Sequence, residues 1–239
     1  MRYFYDFHMH SCLSPCGDDD MTPNNIANMS KIKGLDVIAI TDHNCARNAE
    51  AVMQCGESVE LIVLPGMEIE CTEEFHIVAL FKDLNSCYAM EQIVAAAMPQ
   101  IKNNAEIFGR QVIMNSDDEA IGEVDNMLVT ACGLSADEVV AAVLSLGGAC
   151  IPAHVDKSSY SIISNLGFIP DTLKVAFVEL SKRADESTIF EQYPYLKDYG
   201  IIHSSDAHYL CDISEQEHSI ELPELSAEAV IGYLRGDTV

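Results

Sequence analysis

Five short apolar runs in this chain end on, or lead directly to, a histidine or a carboxylate, and that recurrence limits what the chain can fold into. Tyr3–Met9 carries Asp6-Phe7-His8-Met9-His10. Val37-Ile38-Ala39-Ile40-Thr41 ends in Asp42-His43. Leu61-Ile62-Val63-Leu64 leads through Pro65-Gly66 to Glu68. Cys150-Ile151-Pro152-Ala153 ends in His154, and Ile201-Ile202 leads to Ser205-Asp206-Ala207-His208. Short runs rich in Val, Ile and Phe read as buried parallel strands. Stretches of helical period separate them, which gives an α/β domain. In a barrel or a doubly wound sheet, all C-terminal strand ends open onto one face, where sites are built. Five strands therefore deliver His or carboxylate to one rim. His76 begins its run, His76-Ile77-Val78-Ala79-Leu80, so its strand is expected to run antiparallel to its predecessor, or at least to start at that rim.

The predicted strands are Tyr3–Met9, Asp36–Thr41, Leu61–Met67, His76–Phe81, Ala149–Ala153, Val175–Leu180 and Gly200–Ser204. Predicted helices start after Thr22-Pro23, cover Ala46–Cys55, begin at the capping box Ser135-Ala136-Asp137-Glu138, fill part of Asp185–Tyr199 with a break at Pro194, and cover Ser226–Leu234. Tyr88–Gly109 reads as one long helix kinked at Pro99. With the acidic run Asp117-Asp118-Glu119 after it, residues 86–133 are expected to form a small insertion, a lid or two ordinary barrel units within one domain spanning residues 1–239.

Composition removes several classes. Lys plus Arg is 13 and Asp plus Glu is 38 among 239 residues, a formal charge of −25. Such a chain is unsuited to tracking the phosphates of long nucleic acids, and it lacks the basic face of a membrane-surface helix. No segment reaches the roughly 18 consecutive apolar residues of a membrane span, and no secretion signal is read at the N-terminus. Nine cysteines, without a Cys-x-x-Cys pair, point to reduced thiols in a cytoplasm. Cys12 and Cys16 read as ordinary thiols.

Residues two apart on a strand share a face, so Asp6, His8 and His10 should point the same way and Phe7 and Met9 the other. Two imidazoles so placed can share one metal ion. Six of the eight histidines sit at such positions, with Glu68 and Asp206 beside them. Imidazole and carboxylate are the ligands that Zn, Mn and Fe ions accept, and carboxylates gathered without a cation would repel one another. Asp6 and Asp42 are placed to orient imidazoles. His203 reads as a buried strand residue and His218 as a surface or edge residue.

The ordered series His8-x-His10, Thr41-Asp42-His43, Gly66-x-Glu68, His76, Ala153-His154 and Ser205-Asp206-Ala207-His208 resembles the PHP (polymerase and histidinol phosphatase) metallo-phosphoesterases. The resemblance implies a distorted (β/α)₇ barrel with three divalent ions, Zn, Mn or Fe or a mixture, at the C-terminal rim. It gives His8, His10, Glu68 and Asp206 to one ion. Glu68 would bridge to a second, held by His76 and His154. His43 and His208 would hold the third with a ninth ligand from the loop after His10. Family members often read His-Ser-x-x-Ser-Asp-Gly-x-x-x-Pro there; counting back from Pro23 selects Asp18, with Asp20 as runner-up and Asp19 behind it.

The resemblance also implies metal-assisted hydrolysis of a small organic phosphate monoester, a nucleotide first among them, with Glu68, Asp206 and His208 as the catalytic set and an activated water as nucleophile. Ser11 and Cys12 are then not needed for covalent attack. Lys157 falls where nucleotide-cleaving relatives carry Arg and would supply a point charge to the phosphate; Lys182 and Arg183 are further candidates. Partners would be a phosphorylated metabolite, a nucleotide or a short oligonucleotide, with no membrane and no long nucleic acid. Alternatives are an amidohydrolase-like hydrolase and a non-catalytic, metal-stabilised module.

Overall fold

Strands and helices alternate through the computed structural model of the chain, which describes residues 1–237. Its strands are β1 (Arg2–Asp6), β2 (Val37–Ile40), β3 (Ile62–Glu70), β4 (His76–Leu80), β5 (Val112–Met114), β6 (Ala120–Glu123), β7 (Ala149–Pro152), β8 (Phe177–Ser181), β9 (Gly200–Ser204) and β10 (Ser219–Glu221). Its helices are α1 (Pro23–Ile32), α2 (Ala49–Ser58), α3 (Leu84–Ala97), α4 (Ala105–Phe108), α5 (Ala136–Ser145), α6 (Ile162–Leu166), α7 (Glu186–Gln192) and α8 (Ala227–Leu234).

Local chemistry sets the helix starts. The Thr22 side chain accepts from Asn25 N–H ahead of Pro23 at the first turn of α1. Ser135 and Glu138 form the expected reciprocal capping box of α5. The expected helix Tyr88–Gly109 is corrected. α3 starts at Leu84, capped by Asp83, and stops at Ala97, because Met98 is extended (φ −66°, ψ 138°) ahead of Pro99. The proline ring excludes the helical conformation from the residue before it, so the helix ends there instead of bending. The one-turn helix α4 and the β5–β6 hairpin fill much of the stretch that follows.

Strands β10-β1-β2-β3-β4-β7 form one sheet and β8-β9 a parallel pair. β1, β2 and β3 are parallel, while β4 runs antiparallel to both β3 and β7, as the position of His76 requires. The pair joins the sheet on both sides: Val155 N–H donates to Glu179 O at 2.8 Å, and Met9 bridges to Ala207. Tyr5, Val37, Leu64, Val78, Ile151, Phe177 and Ile202 come from seven different strands yet share one buried cluster with Val230, Ile231 and Leu234 of α8. A flat sheet could not bring those strands together, so this sheet curls round its own interior. Alternate residues on the same strands, including Ile38, Val63, Ile77 and Val178, pack outward with Ile26, Val52, Met90 and Val139 of the helices. Burial of both faces explains why the strands read as continuous apolar runs. Among the described residues no helix is long and apolar enough to cross a membrane, and all nine cysteines are unpaired.

Candidate metal centre

Parallel strands end at one rim, and the reversed β4 begins there. That geometry gathers His8 and His10 (after β1), His43 (after β2), Glu68 (in β3), His76 (first in β4), His154 (after β7), and Asp206 and His208 (after β9). Glu68 is the hub. Its Oε1 lies 2.7 Å from His76 Nδ1 and 3.2 Å from both His8 Nε2 and His154 Nε2. Its Oε2 lies 3.0 Å from His43 Nδ1 and 3.4 Å from His10 Nε2. Asp206 Oδ1 faces His10 Nε2 at 3.2 Å and His8 Nε2 at 3.5 Å.

These approaches are only in part hydrogen bonds. His8 Nε2, His76 Nδ1, His154 Nδ1 and Glu68 Oε2 are buried without a hydrogen-bond partner. Buried polar atoms left so are costly, and here they crowd together. Three sets of ligand atoms each fall within 4.8 Å of one another: His8, His10, Glu68 and Asp206; His43, Glu68 and His76; and His10, His43 and His208. A divalent cation fits such nitrogen and oxygen sets. The second set holds His43 where His154 was expected, with His154 reaching Glu68 beside it, and His10, His43 and Glu68 each belong to two sets.

Neighbouring side chains fix the imidazoles. His8 Nδ1 meets Glu179 Oε1 at 3.0 Å, which turns Nε2 toward the centre, and the same oxygen accepts from His154 N–H at 3.0 Å. His10 Nδ1 meets Ser14 Oγ at 3.0 Å; that hydroxyl donates to Asp42 Oδ1 at 2.7 Å and accepts from His43 N–H at 3.1 Å. Asp42 thus acts on His10 through Ser14. Asp6 corrects the shared-face expectation: β1 ends at Asp6, the strand alternation ends with it, and the carboxylate accepts from Ser205 and Ser214 N–H instead of reaching an imidazole. His154 (φ 31°) and Asp206 (φ 52°) sit in the left-handed region, a strain that surrounding contacts must hold.

The charges are coupled. Burial works to raise the Glu68 pKa, but His76, His8 and His43 outweigh it and hold the carboxyl well below its usual range. Burial likewise opposes ionisation of Asp206, and His8 and His10 override it. Burial works to lower the His8 pKa, yet Glu179, Glu68 and Asp206 raise it well above the ordinary imidazole value. Burial works to raise the Cys16 thiol, but His208 and His43 bring it down to about 7.

The centre opens onto a cavity of about 270 Å³ whose walls include Cys16, His43, Lys157, Ser159, Tyr160 and His208. Lys157 Nζ contacts Asp206 Oδ2 at its mouth, and the Tyr160 ring stacks on His76 with centroids 5.0 Å apart. Other expected residues lie elsewhere. Asp18 turns its carboxylate to Asp20 N–H at 3.0 Å, within its own turn. Asp19, Asp20 and Arg183 are exposed, and none lines the cavity. Lys182 donates to the carbonyls of Asp212 and Ile213. His203 stacks on His218 (4.5 Å) and reaches Glu186 at 3.0 Å. Sequence reasoning missed Glu179 and Ser14. Glu179 had a signal, as the one charge inside the apolar run Val175–Leu180, because a buried carboxylate needs a partner.

A sequence profile of the PHP domain matches residues 6–158. The protein MJ1587 of Methanocaldococcus jannaschii is 34% identical over 84 residues, which are 32% of this chain and 48% of that protein. Among solved structures, the lesion-specific endonuclease EndoQ of Pyrococcus furiosus superposes with a TM-score of 0.70 at 18% identity, covering 99% of this chain and 56% of its own. A Bifidobacterium adolescentis protein described as a metal-dependent phosphoesterase superposes with a TM-score of 0.62 at 18% identity, covering 98% and 96%. The chain thus spans about half the length of the curated relative and of the endonuclease.

Proposed function

Because the chain belongs to the PHP domain family of metal-dependent hydrolases, we propose that it hydrolyses phosphate monoesters of small organic molecules, nucleotides first among them, at a centre of three divalent ions. The observation that carries this reading is the Glu68 hub: one buried carboxylate with five imidazoles within 3.4 Å, several of whose facing atoms have no hydrogen-bond partner. His8, His10, Glu68 and Asp206 would hold one ion, Glu68, His76 and His154 a second, and His43 and His208 the third with one further side chain. Such ions supply the Lewis acidity that activates water and neutralises a phosphoryl group.

The chain's own residues do the rest. Glu68, Asp206 and His208 all line the cavity and would form the catalytic set by holding ions there. Glu179 and Ser14 keep the His8 and His10 ring nitrogens aimed inward. Lys157, partly exposed at the mouth, can leave Asp206 for a phosphate oxygen as a point charge. The compact cavity favours a terminal phosphate over a long duplex, and the net charge of −25 works against tracking along a nucleic acid.

A phosphate-release screen with Mn and Zn added separately tests this. Substrates should include nucleotides, other phosphorylated metabolites, short oligonucleotides and an abasic duplex. Turnover of monoesters is the expected result. Cleavage of the duplex alone would replace the reading with a nuclease, ammonia or acid release from amides with an amidohydrolase, and metal uptake without any turnover with a binding module.

A further inference from the structure

The cavity beside the Glu68 hub has walls that a phosphate does not use. Tyr160, Val129 and Glu70 line it: an aromatic ring, an apolar side chain, and a carboxylate that repels a phosphoryl group. We propose that these three residues form a subsite for the leaving group of the ester, and that it takes a planar, amino-bearing nucleobase. The proposal rests on the phosphoesterase reading above and adds which nucleotides the same site selects and which residues select them.

The backbone of Tyr160 sits in the left-handed region (φ 53°), where a bulky side chain is an outlier. Contacts on both sides hold it there. Tyr160 O accepts from His76 N–H at 3.0 Å. The next residue, Ser161, is buried; its Oγ donates to Val155 O at 3.0 Å and accepts from Ser164 N–H at 3.3 Å to cap α6. Glycine or asparagine would make the same turn with less strain, so the turn by itself does not call for tyrosine. His76 covers one face of the ring, with centroids 5.0 Å apart and planes 19° from parallel, yet 52% of the residue stays exposed. A half-open ring resting on a residue of the metal centre is a stacking platform next to the place where phosphate would react.

Glu70 supplies a second, independent observation. It is 8% exposed and lines the cavity. Among the described residues none donates a hydrogen bond to its carboxylate; the nearest basic nitrogen, His76 Nε2, stands 4.0 Å away. A carboxylate so enclosed needs a donor, and here it comes from outside the chain: water, or an N–H group of a leaving group that displaces it. Carboxylates accept from the amino groups of bases. Asn44 fixes the rest of the subsite. Its Oδ1 accepts from Glu70 N–H at 3.2 Å, while its Nδ2 donates to Leu128 O at 2.8 Å and Thr130 O at 3.0 Å, on either side of Val129. One side chain thus sets the apolar wall and the acceptor in fixed relation. Stacking plus hydrogen bonds to the polar edge is how a base held in a pocket is read.

The test compares kcat/KM of the metal-loaded full chain for AMP, CMP, GMP and UMP with that for ribose 5-phosphate, which has the sugar and phosphate without a base. Wild type should prefer the amino-bearing nucleotides to both ribose 5-phosphate and UMP by about tenfold or more. Tyr160→Ala should cut the preference for nucleotide over ribose 5-phosphate by about 5–100-fold, and Tyr160→Phe should retain it. Glu70→Gln should cut the preference for amino-bearing nucleotides over UMP by about tenfold, because the amide can turn its NH₂ to a uracil carbonyl. Its metal content, read by mass spectrometry, should match the wild type. Ribose 5-phosphate hydrolysed as well as every nucleotide, equal losses on both substrates in Tyr160→Ala, an unchanged preference in Glu70→Gln, or an ion lost from that variant would each overturn the subsite and leave the phosphoesterase reading standing. Absence of turnover on every monoester would overturn both. Circular dichroism checks that each variant folds.

Discussion

At the scale of single residues, a sensitive position outside the ligand set is Glu179. Its Oε1 accepts from His154 N–H and meets His8 Nδ1. In Glu179→Gln an amide oxygen in the Oε1 place can keep both contacts only with the NH₂ set where Oε2 was, 3.1 Å from His8 Nδ1, and the negative charge that holds the imidazole is lost. Metal affinity should fall by about 10–100-fold with the fold intact, as read by competition with a chelator; unchanged affinity would remove Glu179 from the centre. Asp206→Ala removes a ligand outright, so metal content should drop and turnover vanish while circular dichroism stays native. Full activity in that variant would refute its role. The histidines were legible because their type and spacing announce them one motif at a time. Glu179 was legible only as a buried charge in need of a partner, since which partner it takes is settled once the curled sheet puts His8 against it.

At the scale of elements, Asn48 joins three segments that are distant in sequence. Its Nδ2 donates to Ser11 Oγ at 3.0 Å and to Val112 O at 3.1 Å, and its Oδ1 accepts from Met114 N–H at 2.9 Å. Asn48 precedes α2, so this side chain fastens β5 to the loop that carries Ser14 and Cys16. Asn48→Ala should cost about 1–3 kcal/mol in denaturant unfolding and speed hydrogen exchange at the Met114 amide. Exchange that stays as slow as in the wild type would show the segment to be held by other contacts. The reversed β4 was readable from where His76 sits in its run. The capping box at Ser135 was readable from local chemistry alone. The stretch after α3 was not, because its apolar residues keep a helical period across Pro99 while the backbone cannot. Its later fastening depends on Asn48, a contact that no local pattern encodes.

At the scale of the molecule, the proposed ligands come from positions 8 to 208, so bound ions would tie together nearly the whole chain. The chain carries a formal charge of −25, of which the buried Glu68 and Glu179 and the half-buried Asp206 lie near one another at its centre. Divalent ions cancel part of that charge where the repulsion is least screened. An ion present at 100 times its dissociation constant stabilises the folded state by about 2.7 kcal/mol per site, which for a chain of this length corresponds to a Tm change of about 5–11 °C. Chelation should therefore lower Tm by at least that much, and added Zn or Mn should restore it. The imidazoles must be neutral to ligate, so protons compete with metal. As pH rises from about 6 to about 8, that competition fades, metal binds more tightly, and the gap between loaded and stripped protein should widen. Salt should raise the Tm of the stripped form more than that of the loaded form, because the stripped form has more unbalanced charge to screen. Differential scanning calorimetry across pH and ionic strength reads all three effects. A Tm indifferent to chelator would mean that the converging side chains hold no ion, and the functional reading would fall with it.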